Sequence, residues 1–392
     1  MLEQIGLEDL APGEARIAVL VGPNGSGKSN FLRALALEIR DRKKNLLIIS
    51  NTANDRFAGL RNIKRISASR VNGKSPKSVI KDSVAQTIDE PNSHFYQSGA
   101  ILDYCGYRPR FGFQIVRPRK PPIAMYPQDI IFDNFDFRDF ETSVAFLERY
   151  NSPKIIWVDQ RESALSFSLA REIGAVLRIE GILRKSGYVQ DIQVYLQRLD
   201  GTVIELHHAS SGELTLISSL VFLATNVEDD SMILIDEPEN SLHPSWQREY
   251  VDKVLASTFY FDTAIVIATH APLVVTGALA EHSELVSIFQ FQDNVPHALN
   301  LSEIKASAGN IEGILWSAFE VITPANHFVS EKLIEVLAQL ERGNITEHEA
   351  LSVVDEMTRH SFDEQQMEFF DAIRQLIRKV EIERQGNAPH DG

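Results

Sequence analysis

Residues 19 to 30 read VLVGPNGSGKSN, an apolar strand end set against a glycine-rich turn that closes on Lys28 and Ser29. From Gly22 to Ser29 every fixed position of the phosphate-loop pattern GxxxxGK[ST] is filled. Asn24, Gly25, Ser26 and Gly27 bring consecutive backbone N–H groups toward phosphate oxygens, Lys28 offers a charge to the β and γ phosphates, and Ser29 offers magnesium a hydroxyl. Upstream, Arg16 to Gly22 reads as a buried strand. Downstream, a helix from Asn30 to Arg40 aims its positive N-terminal end at the same anion. The local order of strand, loop and helix therefore predicts a nucleotide site taking ATP and Mg2+.

Three later segments fit the same chemistry. Ser231-Met-Ile-Leu-Ile-Asp236-Glu237 is an apolar strand ending in two acids, with Asp236 suited to hold magnesium and Glu237 to polarise an attacking water. Ala209-Ser-Ser-Gly-Glu213 opens an apolar helical stretch from Leu214 to Thr225. Its Ser210, Ser211 and Gly212 form a second anion-binding helix start, although the same residues also read as a plain cap. Ala264-Ile-Val-Ile-Ala-Thr-His270 is a strand closing on an imidazole placed to meet a γ phosphate; a single histidine there also suits a structural role.

The whole chain sets bounds on these readings. At 392 residues and 44% hydrophobic content it is long enough for one large or two medium domains with a substantial core. A formal charge of −15 argues against a protein coated in nucleic acid or spread on anionic membrane, and leaves room for a local basic groove. The single cysteine, Cys105, excludes an internal disulfide and a multi-cysteine zinc site, which suits a reducing cytoplasm. The acidic start and the lack of a long apolar run predict a cytoplasmic chain without a membrane partner.

In this order the segments resemble the ATP-binding cassette superfamily, and within it the soluble chromosome-maintenance, DNA-repair and overcoming-lysogenization-defect ATPases. The resemblance covers about residues 15 to 40 and 200 to 275. It implies an α/β fold: an ABC-type P-loop ATPase with a mixed sheet, an antiparallel β subdomain, a compact helical or irregular insertion and C-terminal helices. It also implies that two subunits sandwich ATP, with Lys28, Glu237 and His270 catalytic, Ser29 and Asp236 on the metal, and Asn24 to Asn30 on the nucleotide. Ser210, Ser211 and Gly212 would be a signature supplied in trans, and Ser241-Leu242-His243 the D-loop. The Ala-Ser-Ser-Gly-Glu signature departs from the transporter form Leu-Ser-Gly-Gly-Gln, so a transporter is discounted. The family's Q-loop glutamine is not placed by its neighbourhood; Gln97 and Gln114 are both candidates.

By this division residues 1–50 hold the Walker A lobe, 51–185 an inserted lid, 186–300 the rest of the ATPase core and 301–392 a helical region. The lid has no heptad run. Asp191 to Leu206 alternates about Asp200-Gly201 as a β-hairpin. Arg61, Lys64, Arg65 and Arg70 lie in a stretch from 55 to 82 that has no acid between its ends. Arg108, Arg110, Arg117 and Arg119 form a second basic cluster with Tyr107, Phe111 and Phe113 interleaved. These residues suit either phosphate neutralisation with base stacking or a solvated basic face. Val329 to Arg342, Glu347 to Arg359 and Phe362 to Arg384 read as amphipathic helices that bury their apolar faces on the ATPase core or on a partner. Capping boxes are expected at Thr346 with Glu349 and at Ser361 with Glu364, and a frayed tail from Gln385.

Three functions follow. The first is an ATP-driven homodimer or higher homo-oligomer that regulates a separate nuclease or toxin, as in the stand-alone antiphage ATPases of Septu and retron-associated systems that this architecture resembles. The second is a repair or recombination ATPase that clamps DNA itself. The third, an ATP-binding scaffold with little turnover, is opposed by the presence of Lys28, Asp236 and Glu237 together.

Overall fold

The computed structural model describes residues 1–7, 16–52, 54–61, 63–67, 75–87, 95–119, 137–150, 152–159, 164–292, 294–299, 327–359 and 364–386. Arg70, Ser361 and the tail beyond residue 386 lie outside them, as do the side chain of Gln97 and residues 301–326.

In chain order the first elements are β1 (Arg16–Val21), α1 (Lys28–Asp41), β2 (Leu46–Ser50), β3 (Lys64–Ser67), α2 (Pro76–Thr87), α3 (Phe95–Tyr104) and β4 (Arg110–Val116). There follow α4 (Phe137–Arg149), β5 (Ile156–Asp159), α5 (Ala164–Arg178), α6 (Glu180–Lys185), β6 (Asp191–Gln197) and β7 (Val203–Glu205). Then come α7 (Ser211–Asn226), β8 (Ser231–Asp236), α8 (Pro244–Thr258), β9 (Thr263–Thr269), α9 (Pro272–His282), β10 (Val286–Gln292) and β11 (Val295–Ala298). Three helices close the chain: α10 (His327–Glu341), α11 (Glu347–Arg359) and α12 (Glu364–Gly386).

Among the described residues, seven strands form one sheet in the order β11-β10-β1-β9-β8-β2-β3, parallel throughout except for β11. Strands β2, β8 and β9 are buried along their whole length, as strands covered on both faces must be. The alternation of β1 shows the two faces. Ile17, Val19 and Val21 enter a core shared with α7, α8 and α9, while Ala18 and Leu20 meet Phe31, Leu32, Leu35 and Ile39 of α1 on the other side. Helix α9 approaches α8 so closely that a Cβ on Gly277 would lie 1.7 Å from the Arg248 carbonyl oxygen.

A second, antiparallel sheet has the order β5-β4-β6-β7. The hairpin about Asp200-Gly201 is present, with Gly201 at φ 94°. The region 51–185 is shared between the two sheets: β3 extends the parallel sheet, and β4 and β5 belong to the antiparallel one. The mixed α/β architecture with its separate antiparallel sheet is therefore as expected. The C-terminal helices correct one expectation. Among the described residues they bury Leu333, Leu340, Val354, Phe370 and Ile377 against each other, in a cluster separate from those about the two sheets. The Thr346–Glu349 capping box is formed, with Glu349 N donating to Thr346 Oγ1 at 3.3 Å and Thr346 N to Glu349 at 2.8 Å. No helix among the described residues is long and apolar enough to cross a membrane.

Candidate active site

The register of the parallel sheet builds the site. Asp236, the last residue of β8, stands between Ser50 on β2 and Ala268 on β9, and Val21 on β1 stands beside Thr269. The loops leaving these strand ends meet at one edge, where ligands of open α/β sheets collect. They enclose a cleft of ≈ 530 Å³ lined by Asn24, Gly25, Gly27, Lys28, Ser29 and Asn30 from one side and Glu237 and His270 from the other. Ser26 belongs to the same loop, and its hydroxyl is buried without a partner among the described residues.

The phosphate loop depends on glycine at two points. Gly27 takes φ 100°, where a Cβ would lie 2.1 Å from Asn294 Oδ1, and Gly25 takes φ 86°. Helix α1 starts at Lys28, earlier than the sequence suggests, because Gly27 itself serves as N-cap. Lys28 is 4% exposed, and its ammonium donates to the Gly22 and Pro23 carbonyls at 2.7 and 3.0 Å. Burial lowers its pKa, opposed by the charges of Glu237, Glu239 and Asp236. An ammonium held only by neutral carbonyl oxygens is suited to exchange them for the charged oxygens of an incoming polyphosphate.

Ser29 Oγ donates to Asp236 Oδ1 at 2.9 Å, joining the two residues expected on the metal. Asp236 is 0% exposed and its Oδ2 has no partner among the described residues. Burial pushes its carboxyl up to about 6, against the opposing pull of Ser29 and Lys28. A buried carboxylate with a spare oxygen beside a hydroxyl is a hard-oxygen donor set that fits Mg2+.

Glu237 adopts φ 54°, a left-handed backbone that turns its side chain back toward the cleft. Its carboxyl is pushed up to about 7, first by burial and then by the neighbouring Glu239. Glu237 Oε2 contacts His270 Nδ1 directly. A carboxyl poised near neutrality against an imidazole, at the mouth of a phosphate cleft, has the character of a general base.

Ser210, Ser211 and Gly212 are not among the residues that line this cleft. Ser210 caps α7, its Oγ accepting from Glu213 N at 3.2 Å while Ser210 N donates to Glu213 at 2.7 Å, and both serines are exposed. The cap reading is thus realised in the chain itself. Gly212 is buried against the loop after β8, where a Cβ would lie 2.4 Å from the Ser241 carbonyl oxygen.

Sequence patterns did not expose the rest of the wall. Thr52, Asn54 and Arg56 enter the cleft from the loop after β2, and Asn240 from the loop after β8. The Asp55 carboxylate holds that first loop, accepting from Phe57 N at 2.9 Å and from Arg65 at 2.7 Å. The readable signal was a polar run directly after an apolar strand. Of the two Q-loop candidates, Gln114 lies on β4 with the Tyr195 hydroxyl donating to it at 2.7 Å, away from the cleft lining.

The basic clusters are partly committed within the chain. Lys64 pairs with Glu228 and Arg65 with Asp55. Arg110 donates to Gln197 and lies 4.7 Å over the Trp157 ring, and Arg117 donates to the Leu147 and Tyr150 carbonyls. Arg61, Arg108 and Arg119 are exposed. The interleaved aromatics are a correction: Tyr107, Phe111 and Phe113 are at most 1% exposed, because the β4 alternation turns Phe111 and Phe113 inward, so they have no face for a base.

Residues 17–103 and 108–276 match the family model described as "AAA domain, putative AbiEii toxin, Type IV TA system". The chain belongs to this family. The matched segments of the AAA domain family contain the phosphate loop, the Asp236–Glu237 strand end and His270, and stop before the C-terminal helices. Among solved structures, the chain is similar to the ATP-binding cassette of an ABC transporter in its ADP conformation, at 14% identity, covering 75% of this chain and 84% of that one, with a TM-score of 0.25. It is also similar to the Smc head domain from Pyrococcus furiosus bound to the C-terminal domain of ScpA, at 12% identity, 76% and 93% coverage and a TM-score of 0.29. The SMC head domain from Thermotoga maritima matches at 12% identity, 72% and 89% coverage and a TM-score of 0.27. No curated protein matches the chain.

Proposed function

We propose that this AAA-family chain is an ATP-binding and hydrolysing switch that closes as a homodimer or higher homo-oligomer around ATP and so regulates a separate effector, a nuclease or toxin, in antiphage defence. The observation that carries this reading is the division of the machinery. One cleft gathers the phosphate loop, Glu237 and His270, with Asp236 beneath, while the exposed Ser210–Ser211 helix start stands apart from it. A second copy would bring that helix start to the nucleotide. The family description, which names a putative toxin and a type IV system, supports a toxin-system setting.

In this mechanism Lys28 exchanges the Gly22 and Pro23 carbonyls for phosphate oxygens. Ser29 and Asp236 would hold Mg2+, which would supply charge neutralisation at the phosphates. Glu237 accepts the proton of the attacking water, and His270 keeps Glu237 oriented toward the cleft.

The alternative, a clamp acting directly on DNA, has less support, since Lys64, Arg65, Arg110 and Arg117 have partners inside the chain. Steady-state ATP hydrolysis with and without double-stranded DNA separates the two. The switch predicts a slow rate indifferent to DNA, and strong stimulation that fades with salt would establish the clamp instead.

A further inference from the structure

Glu239 is a buried acid that the mechanism above leaves unused. It is 5% exposed. Its Oε1 accepts from Thr269 Oγ1 at 2.7 Å and from His270 N at 2.7 Å, and lies 3.1 Å from His270 Nδ1. Thr269 Oγ1 in turn accepts from Ala271 N at 2.9 Å. One carboxylate oxygen therefore fixes the end of β9 and the start of the turn that carries the imidazole. The backbone carbonyl of Glu239 also accepts from Leu242 N at 2.9 Å, so the D-loop begins from the same residue.

Two observations separate this role from packing. Glu239 Oε2 is buried without a partner among the described residues, so the fold leaves half of the carboxylate unused. Burying a carboxylate is costly, and an apolar side chain of similar shape would serve packing alone at least as well. Glu239 is also absent from the cleft lining, which contains Glu237 and His270. Any influence it has on the cleft is therefore exerted through its neighbours.

We infer that Glu239 is the positioning residue of the hydrolytic site, holding the Thr269–His270 turn so that the imidazole faces the cleft and stays against Glu237. The inference rests on the reading of the cleft as an ATP-hydrolysing site. Glu239→Gln keeps an oxygen that accepts from Thr269 and His270 N, whereas Glu239→Ala removes it. A misplaced reacting group costs on the order of 10²-fold, so Glu239→Ala should lose about 10²-fold in kcat with KM for ATP changed less than about threefold. Glu239→Gln should stay within about fivefold of the parent, the equivalent of one ordinary hydrogen bond. Nitrogen-15 spectra of histidine-labelled protein, with the His270 signal identified by its loss in His270→Ala, should show that signal moved in Glu239→Ala and unmoved in Glu239→Gln. An alanine variant with parental kcat and an unmoved His270 signal overturns the inference. So does one in which both variants lose melting temperature and KM alike. If the parent protein hydrolyses no ATP, the ATPase reading fails by itself, and the His270 signal still decides the placement of Glu239.

Discussion

Glu237 combines a left-handed backbone, burial and an imidazole contact, and each has a measurable consequence. Replacing it with glutamine keeps the shape and removes the base, so kcat should fall by about 10² to 10⁴-fold while nucleotide affinity is retained. Steady-state kinetics beside a binding titration checks this. The raised carboxyls also set a pH dependence of stability. Glu237 moves from an ordinary 4.5 to about 7 and Asp236 from 3.8 to about 6, so between those limits the folded state binds more protons than the unfolded one. Their effect is a loss of stability as pH rises from about 4 to about 7, the reverse of a salt-bridged acid. Melting curves of the nucleotide-free protein across that range should show a shallower fall for Glu237→Gln than for the parent. Lys28, Asp236, Glu237 and His270 were legible because each ends or follows an apolar strand within a short pattern. Glu239 was not, because Thr269 and His270 come to it from a different strand and only the sheet register brings them together.

The close approach of α7 to the loop after β8 ties the Ser210–Gly212 helix start to the Asp236–Glu237 strand end. A methyl group at Gly212 would lie 2.4 Å from the Ser241 oxygen, and Ser241 already holds φ 69°, so neither side has slack. Gly212→Ala should lower stability by about 1–3 kcal/mol, read from denaturant unfolding, and slow ATP turnover by displacing the loop that carries Ser241. The parallel strands β1, β8 and β9 and the β6–β7 hairpin could be read directly, since continuous apolar runs and an Asp-Gly turn are local signals. Pairing of β4 with β6 could not be read so directly. The basic cluster around β4 looked like an interleaved aromatic surface, but strand alternation sends Phe111 and Phe113 into the core and leaves the arginines to find partners such as Gln197 and Trp157.

For the whole molecule, the separate cores argue for separable stability. Helices α10 to α12 share a cluster that includes none of the residues packed about the two sheets. A chain ending after residue 299 should stay folded and bind ATP with little loss, and a truncated protein that aggregates or loses ATP binding would show that the bundle supports the ATPase core. Amphipathic periodicity announced these helices, but it does not say which surface receives their apolar faces: among the described residues Leu333, Val354 and Phe370 pack on each other, while Ile334 and Ile382 stay exposed. A switch of this kind is an assembly, so the solution mass of Glu237→Gln with and without ATP and Mg2+ tests it. The switch predicts a shift to a dimer or larger species only when ATP is present. A mass that remains monomeric with ATP bound, beside a parent protein hydrolysing ATP at full rate as a monomer, would contradict it.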